Sequence, residues 1–117
     1  MTPKDSALSI RIDLANGTRF GPGKAALLTA IQAETSISGA AKSLGMSYPR
    51  ALKLIEQMNS AFNSPIVEAK HGGQKGGGAS VTAKGLELLN LYNRISEDAQ
   101  RSSKQDIQAI ENLIKSQ

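Results

Sequence analysis

Residues 36–59, SISGAAKSLGMSYPRALKLIEQMN, hold two short helical periodicities on either side of Gly45, which confines the segment to two helices meeting at a tight turn. Ser36 or Ser38 can cap the first helix by accepting a free backbone N–H, and it runs through Ala40 and Ala41 to Leu44. Gly45 supplies the left-handed backbone that stops it. Ser47 caps the next helix, and Pro49 falls in its first turn, where a missing N–H costs nothing. Ala51, Ile55, Met58 and Phe62 then recur at spacings of four, three and four, a buried stripe that ends near Asn63-Ser64-Pro65. Gly39, Ala40 and Ala41 are small enough to let two steeply crossed backbones approach. Together these features are the layout of a helix-turn-helix, which lays its second helix in the major groove of DNA.

Subtracting the buried stripe leaves Tyr48, Pro49, Arg50, Lys53 and Gln57 near the free face of that helix. Arg50, Lys53 and Gln57 step by three and four, so they line one side. Arginine can bond guanine twice, glutamine adenine twice, and lysine reaches guanine or phosphate. Ser47 and the free amides beside it are expected to seat a phosphate with help from the helix dipole. An ordinary three-helix core with a solvated polar face leaves the same pattern.

Around this centre the chain reads as follows. Leu8, Ile10, Ile12 and Leu14 alternate with polar residues, predicting a half-buried strand. Asn16-Gly17 turns it back, a better reading of Asn16-Gly17-Thr18 than a glycosylation sequon, and Thr18-Arg19-Phe20 is a candidate return strand. A helix is expected from about Lys24 to Glu34, with Leu27, Leu28, Ala30 and Ile31 inward. Ile66 to Lys70 is a further strand. His71 to Ser80, HGGQKGGGAS, has five glycines in ten residues and no large apolar anchor, so it reads as the tip of a hairpin resumed at Val81. That tip is a candidate wing whose His71 and Lys75 reach phosphate or a minor groove; a loop without a role fits equally well. Thr82 can cap a last helix from Lys84 through Ile95, with Leu88, Leu91/Tyr92 and Ile95 carrying its apolar face, joined by Leu86 and Leu89. Polar residues from Ser96 to Asp106 predict a kink or a separate tail helix before Ile107, Ile110 and Leu113.

The charge of +4 is unevenly placed. Residues 35–85 carry Lys42, Arg50, Lys53, Lys70, Lys75 and Lys84 against Glu56 and Glu68, while the remainder is close to neutral. A polyanion-binding surface requires such a bias, although a merely uneven soluble surface has it too. The chain has no cysteine, which excludes disulfide frameworks, thiolate catalysis and the usual structural zinc sites. His71 has no partner nearby in sequence for metal binding or base catalysis, and the carboxylates are scattered, so no enzyme is expected and no cofactor. No stretch approaches the ~18 apolar residues of a membrane span, and the N-terminus lacks a signal-peptide core, so a cytoplasmic protein with no membrane partner is expected.

The run from Ser36 to Tyr92 resembles the N-terminal DNA-binding domain of ModE-type molybdate-responsive regulators, relatives in fold of LysR-type proteins. The resemblance rests on ISGAAKSLGMSYPRALKLIEQMN, SPIVEAKHGGQKGGGASVTAKG and LLNLYNRI, and extends over roughly residues 8–95. The MSY-x-R-A helix start followed by a glycine-rich wing leading into V-T-x-x-G is specific as a combination. It implies a winged helix-turn-helix, promoter binding and dimerisation through helices outside the reading head. Ser47, Tyr48, Arg50 and Lys53 fall where that family's recognition helix faces DNA, and His71 to Gly78 fall on its wing. Two positions depart from the pattern: Pro49 stands where a basic residue is frequent, removing a contact, and Leu52 where a tryptophan is usual. A chain ending at Gln117 has no room for the family's molybdate-binding domain, so no molybdate is expected to bind here.

The resulting expectation is a mainly α protein with a small β hairpin (α+β), a winged helix-turn-helix with a long C-terminal helix. Residues 1–95 form the DNA-binding unit and 96–117 a helical tail, a possible dimerisation element. The expected DNA contacts are Ser36, Ser38, Ser47, Tyr48, Pro49, Arg50, Lys53, Gln57, His71 and Lys75. The expected partners are double-stranded DNA and a second copy of the chain, as for a dimeric transcriptional regulator; the alternative is a winged module that docks proteins without specific DNA binding.

Overall fold

A computed structural model describes residues 6–70 and 78–115 of the chain. Its elements run β1 (Ile12–Asp13), β2 (Arg19–Phe20), α1 (Pro22–Glu34), α2 (Ile37–Ser43), α3 (Tyr48–Ala61), β3 (Val67–Lys70), β4 (Gly78–Val81) and α4 (Ala83–Glu111). The mainly α architecture matches expectation, and of its two antiparallel hairpins the first joins the strand and candidate return strand around Asn16-Gly17 and the second is the one expected before the last helix.

The N-terminal alternation is present as burial: Leu8, Ile10, Ile12 and Leu14 are half-buried and the residues between them exposed. As a ladder it shrinks to Ile12↔Phe20 and Asp13↔Arg19. Gly17 donates to the Leu14 carbonyl at 3.0 Å, closing the turn.

α1 starts two residues before the expected Lys24, because Pro22 arrives with a helical φ and lacks only an N–H that would be unpaired anyway. Leu27, Leu28 and Ile31 are fully buried, making α1 the central pillar. Phe20 caps the core beside it, edge-on to Tyr92 with ring centroids 5.1 Å apart. The Tyr92 hydroxyl donates to the Ile10 carbonyl at 2.6 Å, tying the N-terminal segment to α4.

Ser36, not Ser38, caps α2: its Oγ accepts the Gly39 amide at 2.9 Å. Ala40 and Ala41 are buried, and Gly45 has φ of +68°, the left-handed turn the sequence required. Ala51, Ile55 and Met58 are the buried stripe of α3. Its far end is fixed by Asn59, whose Oδ1 accepts the amides of Ile66 (2.8 Å) and Val67 (3.1 Å) while Nδ2 donates to the Val67 carbonyl at 3.0 Å.

The second hairpin pairs Val67↔Val81 through Lys70↔Gly78. The Ala79 amide also donates to the carbonyl of Thr35 at 2.9 Å, so the end of α1 abuts the hairpin. Thr82 then caps α4, its Oγ1 accepting the Gly85 amide at 3.0 Å and donating to the Pro65 carbonyl at 2.6 Å. A Cβ on Gly85 would collide with the Ile66 carbonyl oxygen and Val81 Cγ1. The V-T-x-x-G run is thus a cap followed by a point of contact between backbones.

Two expectations for α4 need correction. Of the expected face, Leu89 and Tyr92 are buried together with Gly85, whereas Leu86, Leu91 and Ile95 are exposed, the last two at 45% and 47%, and Leu88 is only half-buried. Seating Gly85 against Ile66 rotates the helix so that the neighbouring stripe faces out. Nor is there a kink or separate tail helix: α4 is one helix of 29 residues, about 43 Å long at ~1.5 Å per residue. Ser96 to Asp106 is polar but rich in good helix formers, and Arg101 bonds Asp98 at 3.0 Å one turn back.

Candidate nucleic-acid interface

With Ala51, Ile55 and Met58 turned inward, α3 presents Pro49, Arg50, Lys53 and Gln57 to solvent, and Tyr48 is 47% exposed. The geometry follows from Ser47, whose Oγ accepts the Arg50 amide at 3.3 Å and sets the first turn. Neither Arg50 nor Lys53 forms an ion pair among the described residues. Two unpaired cations and an amide side chain therefore occupy one face of one helix.

The expected phosphate seat at the start of α3 is sparse. Pro49 has no amide hydrogen and Ser47 takes that of Arg50, so of the first three helical positions only Tyr48 keeps a free N–H. A bound anion there gains less from the backbone than at a helix with three open donors.

Two polar grooves flank the face. At the N-terminal end, Ser36, Ser38 and Tyr48 join Lys70 and Gly78, the last pair of the second hairpin before its connecting loop. The structure thereby brings the two helix-start serines together with the hairpin, a proximity the sequence did not reveal, and adds Lys70, the last residue of β3, to the candidate set. At the other end, Lys53 and Gln57 share a groove with the turn of the first hairpin. His71 and Lys75 lie outside the described residues. Among the described residues no three His, Cys, Asp or Glu side chains cluster as a metal site, and no helix is long and apolar enough to cross a membrane.

Three helices with a tight second-to-third turn, a following hairpin and a helix leaving it define a winged helix-turn-helix domain. The fold is that of the CbnR_DBD-DNA complex, matched with a TM-score of 0.57 over 75% of this chain and 95% of that one at 23% identity. Full-length CbnR complexed with its target DNA is matched at a TM-score of 0.54 and 23% identity, over 72% of this chain and 27% of that one.

Sequence relatives are more specific. The molybdenum-pterin-binding protein MopB of Rhodobacter capsulatus is 42% identical over 79 residues, 68% of this chain and 29% of MopB. The molybdenum transport protein ModE of Azotobacter vinelandii is 32% identical over 99% of this chain and 47% of that protein. The DNA-binding transcriptional dual regulator ModE of Escherichia coli K12 is 37% identical over 69% of this chain and 31% of that protein. No protein-family model matches the sequence. The chain is a homologue of the ModE-type regulators and of MopA and MopB, carrying their winged-helix domain, and it spans less than half the length of these relatives.

Proposed function

We propose that this chain is a cytoplasmic transcriptional regulator that binds double-stranded DNA sequence-specifically, with α3 in the major groove and the second hairpin against the backbone. The observation that carries the reading is the exposed, unpaired face of Tyr48, Arg50, Lys53 and Gln57 opposite the buried stripe of α3. Arg50 and Gln57 are the base-reading candidates, Lys53 reaches guanine or phosphate, and Ser36, Ser38, Ser47 and Tyr48 position the backbone. His71 and Lys75 belong to the proposal through their place in the wing sequence. No catalytic step and no molybdate binding form part of it.

The proposed assembly is a homodimer, since a single helix-turn-helix gains little area and a two-fold pair reads two half-sites. Exposed Leu91 and Ile95, with Ile110 beyond them, favour α4 as the pairing surface, the tail from residue 96 extending the DNA-binding unit. Ile95→Glu is expected to halve the mass measured by sedimentation.

Selecting fragments of the source genome with the purified protein tests binding, specificity and target together. Arg50→Ala is expected to lose about 1–3 kcal/mol on the selected duplex and to relax one base position. Identical binding of wild type and Arg50→Ala to selected and random duplexes would refute the groove assignment. Weak retention of every duplex without steep salt dependence would favour a protein-docking module instead.

A further inference from the structure

The groove at the C-terminal end of α3 has a construction that the α3 reading alone does not require. Its floor is α3, through Lys53, Glu56 and Gln57, and its far wall is the turn of the β1–β2 hairpin with Arg19, joined by Lys24 from the start of α1. That turn is fastened to α3: Asn16 Nδ2 donates to the carbonyl of Ala61 at 3.0 Å, and Asn16 Oδ1 accepts the Thr18 amide at 3.0 Å. Lys24 Nζ donates to the Arg19 carbonyl at 2.6 Å, so the cation is held against the same wall.

The charge is unbalanced. Arg19, Lys24 and Lys53 face one carboxylate, Glu56, and neither Lys24 nor Lys53 is ion-paired among the described residues. Arg19 has only a 3.9 Å approach to Asp13, a carboxylate that Arg11 engages more closely at 2.9 Å. Partial burial lowers the Lys24 pKa from its ordinary value, because the ammonium has lost part of its solvent.

Position matters as much as charge. Tyr48 lines the groove at one end of α3 and Gln57 the groove at the other. The nine-residue step between them rises roughly 14 Å, close to the ~12 Å width of the major groove. A duplex engaged by the helix face has one phosphate strand on each side of that groove.

We infer that Arg19 of the first hairpin and Lys24 of the first turn of α1 form with Lys53 a second backbone clamp that holds a DNA phosphate on the side of α3 away from the wing. The inference rests on the major-groove reading of α3 and adds two binding residues to it. Arg19 supplies the charge-assisted hydrogen bonds, Lys24 a nearly fixed point charge, and Glu56 limits the affinity.

The test is a salt series of duplex affinity, by fluorescence anisotropy, on the full chain with a selected and a random duplex. Losing one phosphate contact lowers the slope of log K against log salt by about 0.9, so a fourfold rise in salt should cost wild type about 3.5-fold more affinity than Arg19→Ala. The loss should be equal on both duplexes. Arg19→Lys should keep the slope, and Glu56→Gln should tighten both duplexes. Because Arg19 bonds Lys24 through its backbone carbonyl, the alanine variant leaves that contact intact. If Arg19→Ala and Lys24→Gln match wild type in affinity and slope while Arg50→Ala is weakened, the clamp is wrong and the α3 reading survives. If wild type itself lacks salt-dependent duplex binding, both are overturned.

Discussion

The first third of α4 and the stretch from Ser96 onward belong to one helix and are held in opposite ways. From Ala83 to Tyr92 it is capped by Thr82, pressed on the Ile66 carbonyl at Gly85, and bonded through Tyr92 to Ile10. From Ser96 to Glu111 its support is local: the Asp98–Arg101 pair, and Ser103 Oγ donating to the Ala99 carbonyl at 2.6 Å. Helicity and burial are thus separate properties of a sequence. A polar stretch ends the second without ending the first, because helix propensity resides in Glu, Gln, Arg and Lys as much as in Leu.

If that contrast is right, substitutions should grade steeply from the fastened third outward. Gly85→Ala should be the most damaging, losing about 3 kcal/mol in urea unfolding, because its methyl group meets backbone rather than a yielding side chain. Asn59→Ala should follow at about 2–3 kcal/mol, orphaning the Ile66 and Val67 groups on which the start of α4 rests. Ala99→Gly should be smallest: about 1 kcal/mol of local helix stability, seen as faster amide exchange around it, with no shift in the global midpoint. A global loss from Ala99→Gly as large as that from Asn59→Ala would erase the distinction between the two parts of the helix.

Where local chemistry and burial agree, the sequence was a sufficient guide. Ser47, Pro49 and Gly45 each have one backbone role, and Ala51, Ile55 and Met58 repeat at a single period, so α3 and its preceding turn were legible to within a residue or two. The inward face of α4 was legible only in part: Leu89 and Tyr92 stood in the expected stripe, but its anchor is Gly85, which adds nothing to a hydrophobic pattern, so Leu91 and Ile95 could not be told from the buried positions. The first hairpin was visible as alternation, but the alternation did not say that only two residues would pair. The candidate site divided in the same way. Arg50 and Lys53 share a helix and could be aligned by counting, whereas Arg19 and Lys24 come to line one groove with Lys53 only in the folded chain, where Asn16 bonds the carbonyl of Ala61. Ser36 and Ser38 met Lys70 only once α2 was placed beside the second hairpin.

Thr82 closes the wing hairpin and opens α4 in the same residue, and the bare Cα of Gly85 sets how near the two backbones come. The helix therefore departs at an angle that no side chain can relax. For two copies joined along α4, that angle acts as a calliper: the distance from one reading helix to the other is built into the protein, and the DNA must offer half-sites at that stride.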